Sequence, residues 1–173
     1  MKKMHLCPPN PCRTQRGVAT IEFALIATIF FTLLFGILEF GRMMYVFNSM
    51  QEITRRGARE AVVRWIDQTS TVRTLALFGG TSLPAGAELT AANIKIDYLK
   101  KNGAVVTSFP FDPADNLSAC GDITRTDSCI YSVRVSIVNL KYIPMVSLFS
   151  FLNMALPGSS STMHAESMGF TVS

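Results

Sequence analysis

One segment constrains this chain more than any other: residues 18–38 are almost entirely apolar, and Glu22 is their only charged residue. An α-helix rises about 1.5 Å per residue, so a helix of this length spans about 30 Å, the thickness of the hydrocarbon core of a bilayer. Beyond Phe23 only Thr28 and Thr32 bear polar side chains, so a buried core helix is the weaker alternative. The segment therefore predicts a single membrane-spanning helix.

The basic residues indicate how this helix is oriented. The chain has 16 Lys and Arg against 12 Asp and Glu, for a net charge of +4. The whole excess precedes the span, in Lys2, Lys3, Arg13 and Arg16. A basic flank of this kind stays in the cytoplasm, so residues 1–17 are predicted to be a cytoplasmic leader and the C-terminal body to be exported. The balanced remainder gives no sign of a nucleic-acid partner.

A cleaved secretory signal is the nearest alternative for the leader and span. Such a signal has an apolar core of about 7–15 residues followed by a small-residue cleavage site. The apolar run here is longer and has no Ala-x-Ala pattern at its end. Apolar residues then recur at spacings near three and four from Met43 to Trp65, while Arg55, Arg56 and Arg59 provide a polar side. This pattern predicts an amphipathic continuation of the same helix over residues 39–66.

A carboxylate inside the apolar segment requires an explanation, because an ionised group there costs several kcal/mol unless it is paired. One explanation is that Glu22 reaches the cytoplasmic headgroups beside Arg16. The surrounding string suggests another, since a basic residue and Gly17 are followed by four uncharged residues and then by Glu22 and Phe23, which open the apolar run.

This arrangement resembles the prepilin pattern of type IV pilin-like proteins, in which a membrane prepilin peptidase cuts after the glycine. Residues 17–45 are more specifically similar to the TadE/TadG-like minor pilins, or pseudopilins, of tight-adherence (Flp) pilus systems. The resemblance implies cleavage between Gly17 and Val18 and a role for Glu22 and Phe23 in processing and assembly. The second family motif lies at the outer end of the span and comprises Gly36, Glu39, Phe40, Gly41 and Arg42.

The resemblance also implies partners and a location. The partners are a prepilin peptidase, other pilins and minor pilins through the N-terminal helix, the inner-membrane assembly platform and membrane lipid. The implied location is the inner membrane, with a single pass and an exported C-terminal domain, and the pilus or cell surface after assembly. The implied role is in a pilus for adhesion, surface colonisation or biofilm formation. The alternative is an uncleaved single-span scaffold or receptor of an envelope assembly.

Two further readings concern charges at the ends of the span. Cutting after Gly17 would create an ammonium group on Val18 about one helical turn from Glu22, and this group could neutralise the carboxylate within one subunit or between neighbours. At the outer end, Glu39 and Arg42 are three residues apart, which permits a local ion pair worth a few tenths of a kcal/mol if exposed. A specific contact with a partner is the other interpretation of this pair.

The exported part has a different composition. Residues 67–91 are polar and rich in turn residues, which predicts a connecting segment with a short helix at 72–78. Residues 92–173 are predicted to be β-rich, and the fold class is α+β, with a small antiparallel sheet packed on the outer half of the long helix. The apolar stretch 143–156 would either cover this sheet or act as a contact surface. The candidate strands are 93–100, 104–109 after a turn at Asn102 and Gly103, the central strand 130–142, and 161–172.

The cysteines divide between the two compartments. Cys120 and Cys129 lie nine residues apart on the exported side, in what reads as a loop without regular structure, and a disulfide is the default there. Cys7 and Cys12 lie in the leader, where they are predicted to be reduced and offer only weak support for zinc.

No catalytic or metal-binding pattern stands out. The sequence has no nucleophile elbow, P-loop or metalloprotease motif, and His164 with Glu166 is read as a chance pairing. Four aspartates near the exported cysteines lack the spacing of a calcium loop and are read as solvated carboxylates. We therefore expect no enzyme activity, no metal and no cofactor. These aspartates are Asp112, Asp115, Asp122 and Asp127.

Overall fold

A computed structural model of the chain describes residues 16–170. The leader up to residue 15, with Cys7 and Cys12, and the end of the last predicted strand at residues 171–172 lie outside the described residues. The chain divides into two compact units, Met1–Leu38 and Glu39–Ser173. The predicted α+β class is confirmed, since a long apolar helix is followed by small antiparallel sheets.

Helix α1 extends over Arg16–Val63. In the first unit its side chains are exposed almost without exception, so this segment is not a core helix. The hydroxyls of Thr28 and Thr32 donate to the carbonyls four residues earlier, at 2.8 and 2.7 Å. These bonds satisfy the two polar side chains within the helix itself, as an apolar surrounding requires. By length and composition the helix is able to cross a membrane.

Within the second unit, α1 carries one buried stripe. Val46, Met50 and Ile53 are fully buried, and the stripe continues through Ala58 to Val62. Their spacing of three and four residues places them on one side of the helix. The helix ends at Val63, slightly before the predicted end at residue 66.

Short elements fill the segment that is predicted to be a connection with one short helix. A 3₁₀ turn at Ile66–Gln68 precedes helix α2, Thr69–Ala76, which begins and ends earlier than the predicted helix at 72–78. Strands β1, Ser82–Leu83, and β2, Gly86–Thr90, then form a two-stranded sheet. A 3₁₀ turn at Ala91–Asn93 leads into the main sheet.

The main sheet has three antiparallel strands in the order β3, β4, β7. Strand β3 is Ile94–Leu99, β4 is Ser132–Ile137 and β7 is Ser160–His164. The predicted central position of the strand in residues 130–142 is confirmed, although β4 covers only part of that range. Val133 and Val135 are fully buried, and together with the stripe of α1 they form the core.

A glycine on α1 allows the helix and the sheet to approach closely. A Cβ at Gly57 would lie 3.1 Å from Cγ1 of Val135 and 3.3 Å from Cβ of Ala76. Near the C-terminal end of the described chain, Met168 is fully buried and donates its N–H to the carbonyl of Val62 at 3.1 Å. The helix is therefore packed between the central strand and the chain's last turn, as the predicted docking of sheet on helix requires.

The strand predicted over residues 104–109 is not present. The turn at Asn102 and Gly103 forms, with a φ of 81° at Gly103, but only one isolated bridge, Leu99 with Val105, follows it. Pro110 ends the stretch, and proline cannot donate to a sheet.

The predicted strand 130–142 is also divided. Its polar interruption, Asn139, has a φ of 56°, a left-handed conformation that asparagine tolerates and an extended strand cannot contain. Beyond it, strand β5, Lys141–Tyr142, pairs with β6, Met154–Ala155, in a separate two-stranded sheet. A 3₁₀ segment, Ser147–Leu152, lies between these two strands.

Candidate functional site

The predicted cleavage and assembly motif forms the first turns of α1. Val18 and Phe23 are 64% and 72% exposed, and Gly17 and Glu22 also lie on the helix surface. A Cβ placed at Gly17 would meet no atom of the described chain within 4 Å. These residues are therefore accessible to another molecule, as a processing site and a helix-packing surface both require.

The second family motif contains residues of two kinds. Phe40 is 57% exposed, and a Cβ at Gly41 would find open space. Glu39, by contrast, is only 4% exposed, and Arg42 is half-buried. The motif thus presents an open side at Phe40 and Gly41 and turns its two charges into the second unit.

Three donors converge on the buried carboxylate of Glu39. The hydroxyl of Tyr142 donates to Oε1 at 2.6 Å, and the backbone N–H of Met145 donates to the same oxygen at 3.1 Å. Arg42 contributes its Nε at 3.4 Å, which makes the predicted i,i+3 pair real but not exposed. The Tyr142 hydroxyl also lies 3.0 Å from the backbone carbonyl of Glu39.

The guanidinium of Arg42 connects the helix to two further segments. Its Nη1 lies 3.3 Å from a carboxylate oxygen of Glu88 and 3.1 Å from the carbonyl of Ala85. Its Nη2 donates to the carbonyl of Ile143, and the guanidinium stacks 4.5 Å from the centroid of the Tyr142 ring. Planar, charge-assisted bonding of this kind uses the fork geometry that lysine lacks. Arg42 and Glu39 therefore form a buried polar cluster with Glu88 and Tyr142.

The electrostatics of the cluster follow from burial and pairing. Burial alone would raise the pKa of Glu39, but the Tyr142 hydroxyl, the Met145 N–H and Arg42 together hold its pKa below the usual value. Desolvation, with the bond to Glu39 second, raises the pKa of Tyr142 to about 12. Desolvation lowers the pKa of Arg42, whereas the Glu88 carboxylate raises it. The pKa of Arg42 is raised overall. At neutral pH Glu39 is therefore an ionised carboxylate, Arg42 a charged guanidinium and Tyr142 a neutral phenol.

Cys120 and Cys129 are joined in a disulfide, with Cα atoms 4.8 Å apart. The expected irregular loop is present at residues 122–129, but the prediction is wrong at Cys120, which lies in the last turn of helix α3, Pro113–Gly121. Asp112 caps this helix by accepting the N–H of Asp115 at 2.7 Å. An Asp-Pro pair is a helix-start signal, so the sequence did contain the information.

The remaining aspartates have local roles. The N–H of Phe111, with help from Arg125, lowers the pKa of Asp115, and Thr124 does the same for Asp122. The Lys100 ammonium, 2.7 Å away, lowers the pKa of Asp127. Among residues 16–170 no group of three or more potential ligands is placed to hold a metal ion.

His164 packs edge-on against the ring of Tyr131, with centroids 5.1 Å apart. Together with Glu166 and Ser167 it lines an open cavity of about 420 Å³ whose other walls are largely apolar. The cavity also borders Cys120, whose sulfur is committed to the disulfide.

Comparison with known proteins gives one result. Residues 17–59 match the family described as TadE-like protein, which confirms the resemblance carried by the two N-terminal motifs. The match begins at Gly17 and ends within the arginine-rich part of α1. No curated protein and no solved structure matches the chain.

Proposed function

We propose that this TadE-like chain is a minor pilin or pseudopilin that a prepilin peptidase cuts between Gly17 and Val18. The TadE-like match indicates a protein associated with a tight-adherence pilus. The observation that supports the finer proposal is the register of the motif: the glycine, the carboxylate of Glu22 and Phe23 occupy the exposed first turns of a helix able to cross a membrane. Cleavage there removes the basic leader and leaves the helix at the new N-terminus.

The proposal gives Glu22 a chemical role. An ionised carboxylate within a bilayer is stable only when paired, and cleavage supplies an ammonium group on Val18. Pairing between neighbouring subunits would fix the axial register in which their helices pack. The exposed apolar surface of residues 18–38 offers the other pilins and minor pilins an area to pack on.

The proposal also assigns the chain a location and partners. The chain is held in the inner membrane by α1, with the basic leader in the cytoplasm and the second unit exported. There it contacts the peptidase, the other pilins and the assembly platform, and it contributes to a pilus used for adhesion, surface colonisation or biofilm formation. The family is generally structural, and we assign the chain no catalytic step.

N-terminal sequencing of the membrane-bound protein, made in cells that contain the peptidase, tests the cut. We expect Val18 as the first residue. The Gly17→Leu variant should keep Met1, whereas Gly41→Leu, which also changes a helix glycine with open space around it, should be cut normally. A wild-type protein that retains Met1 would contradict the proposal and support the uncleaved scaffold instead.

Assembly is tested separately from cleavage. Glu22→Leu, whose processing is checked by the same N-terminal sequencing, should fail to enter or support filaments, as measured by mass spectrometry of sheared pili and by counting filaments. His164→Ala should leave both unchanged. If Glu22→Leu assembled as well as the wild type, the pairing role of Glu22 would be wrong, and a loss of function in His164→Ala would point to chemistry at the cavity.

A further inference from the structure

The apolar stretch 143–156, here called the apolar loop, is two-sided. Its inward side is formed by Phe149, which is buried, and by Leu152 and Leu156, which pack against the core of the second unit. Its outward side includes the exposed polar residues Ser147, Ser150 and Asn153 but also several large apolar side chains. These apolar side chains are 50–77% exposed and comprise Ile143, Met145, Leu148, Phe151 and Met154.

An apolar patch of this kind indicates a contact surface, and its charge environment limits what it can contact. No Asp or Glu occurs anywhere from residue 128 to residue 165. Lys141, exposed at the start of the loop, provides a positive charge beside it. The carboxylates that adjoin the start of the loop, Glu39 and Glu88, have buried side chains that are paired with Arg42. An apolar surface with a basic residue at its margin, beside which the acidic side chains are buried and paired, suits the headgroup region of an anionic bilayer.

The cluster at Glu39 supplies the second observation. Glu39 directly follows Leu38, the last residue of the apolar span. A helix over residues 18–38 fills a hydrocarbon core of about 30 Å, so chain continuity places Glu39 at the boundary between hydrocarbon and headgroups. Both Tyr142 and Met145 are hydrogen-bonded to this carboxylate, at 2.6 and 3.1 Å. The start of the apolar loop is therefore bonded to the residue at which the chain leaves the membrane.

We propose that the apolar loop is a second membrane contact, in which Met145, Leu148 and Phe151 enter the interfacial region of the leaflet from which α1 emerges. The occupant of this surface is lipid. The inference requires that α1 cross the bilayer, but it does not depend on cleavage at Gly17 or on entry into a pilus.

Tryptophan fluorescence of the full chain in vesicles of phosphatidylethanolamine and phosphatidylglycerol tests this inference. The single native tryptophan, Trp65, gives a constant background. Phe151→Trp and Leu148→Trp place a reporter on the loop, and Phe111→Trp is the matched control, since Phe111 is 90% exposed elsewhere on the second unit. Phe30→Trp reports on the span itself.

In vesicles with brominated acyl chains, the fluorescence of both loop reporters should be quenched by the bromine. In vesicles without bromine, both should emit at shorter wavelength than the Phe111 reporter and should resist quenching by aqueous acrylamide. The control reporter at Phe111 should keep its intensity with brominated lipid, emit at the longer wavelength of a tryptophan in water, and be quenched by acrylamide. Loop reporters that are quenched by acrylamide as strongly as the control would overturn the inference. Loop reporters that are protected from acrylamide but not quenched by bromine would also overturn the inference, because a second copy or another protein would then cover the loop. Protection that grew with the protein-to-lipid ratio would indicate such a protein contact. Failure of Phe30→Trp to respond to bromine would refute the membrane span and this inference with it.

Discussion

The hydroxyl of Tyr142 should stabilise the second unit at Glu39, the residue of α1 with which this unit begins. Tyr142→Phe removes one donor, at 2.6 Å, from a carboxylate that is only 4% exposed, and leaves the ring in place. Hydrogen bonds to charged groups contribute about 1.5–3 kcal/mol. Because the Met145 N–H and Arg42 continue to bond the carboxylate, we expect a loss of about 2 kcal/mol, which corresponds to a fall in Tm of roughly 7 °C for a unit of this size.

The assay is thermal unfolding of the full chain in detergent micelles, followed by near-ultraviolet circular dichroism. Tyr131→Phe is the matched control, because Tyr131 is 40% exposed and its ring, not its hydroxyl, packs against His164. The control should change stability by less than about 0.5 kcal/mol. The double variant with Glu39→Gln should lose less than the sum of the two single changes. A Tyr142→Phe variant as stable as the control would refute the view that this bond stabilises the unit.

Three other predictions concern stability. The pKa of Glu39 is lowered in the folded protein, so the stability that this carboxylate contributes is present above its ordinary pKa of 4.5 and is lost as the pH falls through the folded pKa. Glu39→Gln should therefore make the fall of Tm at acid pH less steep. An unchanged fall would contradict the lowered pKa. Replacing Cys120 and Cys129 by serine should cost about 2–3 kcal/mol in a urea titration, and no loss relative to the oxidised wild type would show that the bridge is not formed in the protein. Gly57→Ala should cost about 1–3 kcal/mol by overpacking, since its methyl would lie 3.1 Å from the central strand. Gly41→Ala, the matched change in open space, should instead gain up to about 1 kcal/mol, and equal effects of the two would disprove the close contact.

The elements that local pattern determines were predictable. The apolar run of α1, the amphipathic stripe that includes Met50 and Ile53, and the alternation through Val133 and Val135 each have a period that fixes the element and its buried side. The two N-terminal motifs identified the family because they are contiguous in the chain. The left-handed conformation of Asn139, which separates β4 from β5, could not be predicted from periodicity, because it concerns a single residue.

The buried cluster could not be predicted, because its partners are far apart in the chain. Glu39 and Arg42 look like an ordinary surface pair until Tyr142, 103 residues away from Glu39, covers them. Burial then reverses the energetics, since a pair worth tenths of a kcal/mol in water becomes a set of desolvated charges that must all be satisfied. Helix α3 departs from the predicted loop for a different reason. Asp112 and Pro113 carry a helix-start signal, but the segment that contains the two cysteines shows no strong pattern of regular structure.

The contact between Met168 and Val62 has a consequence for the order in which the protein can fold. A ribosome makes the apolar stripe of α1 first, and the strands that cover it follow many residues later. The bond from Met168 to the carbonyl of Val62 can form only when nearly every described residue has been synthesised. Until those strands have been made the stripe is uncovered, a state that favours aggregation unless another protein shields it. A chain that ends before residue 168 lacks this last contact, and the second unit then leaves the carbonyl of Val62 without the N–H that it accepts.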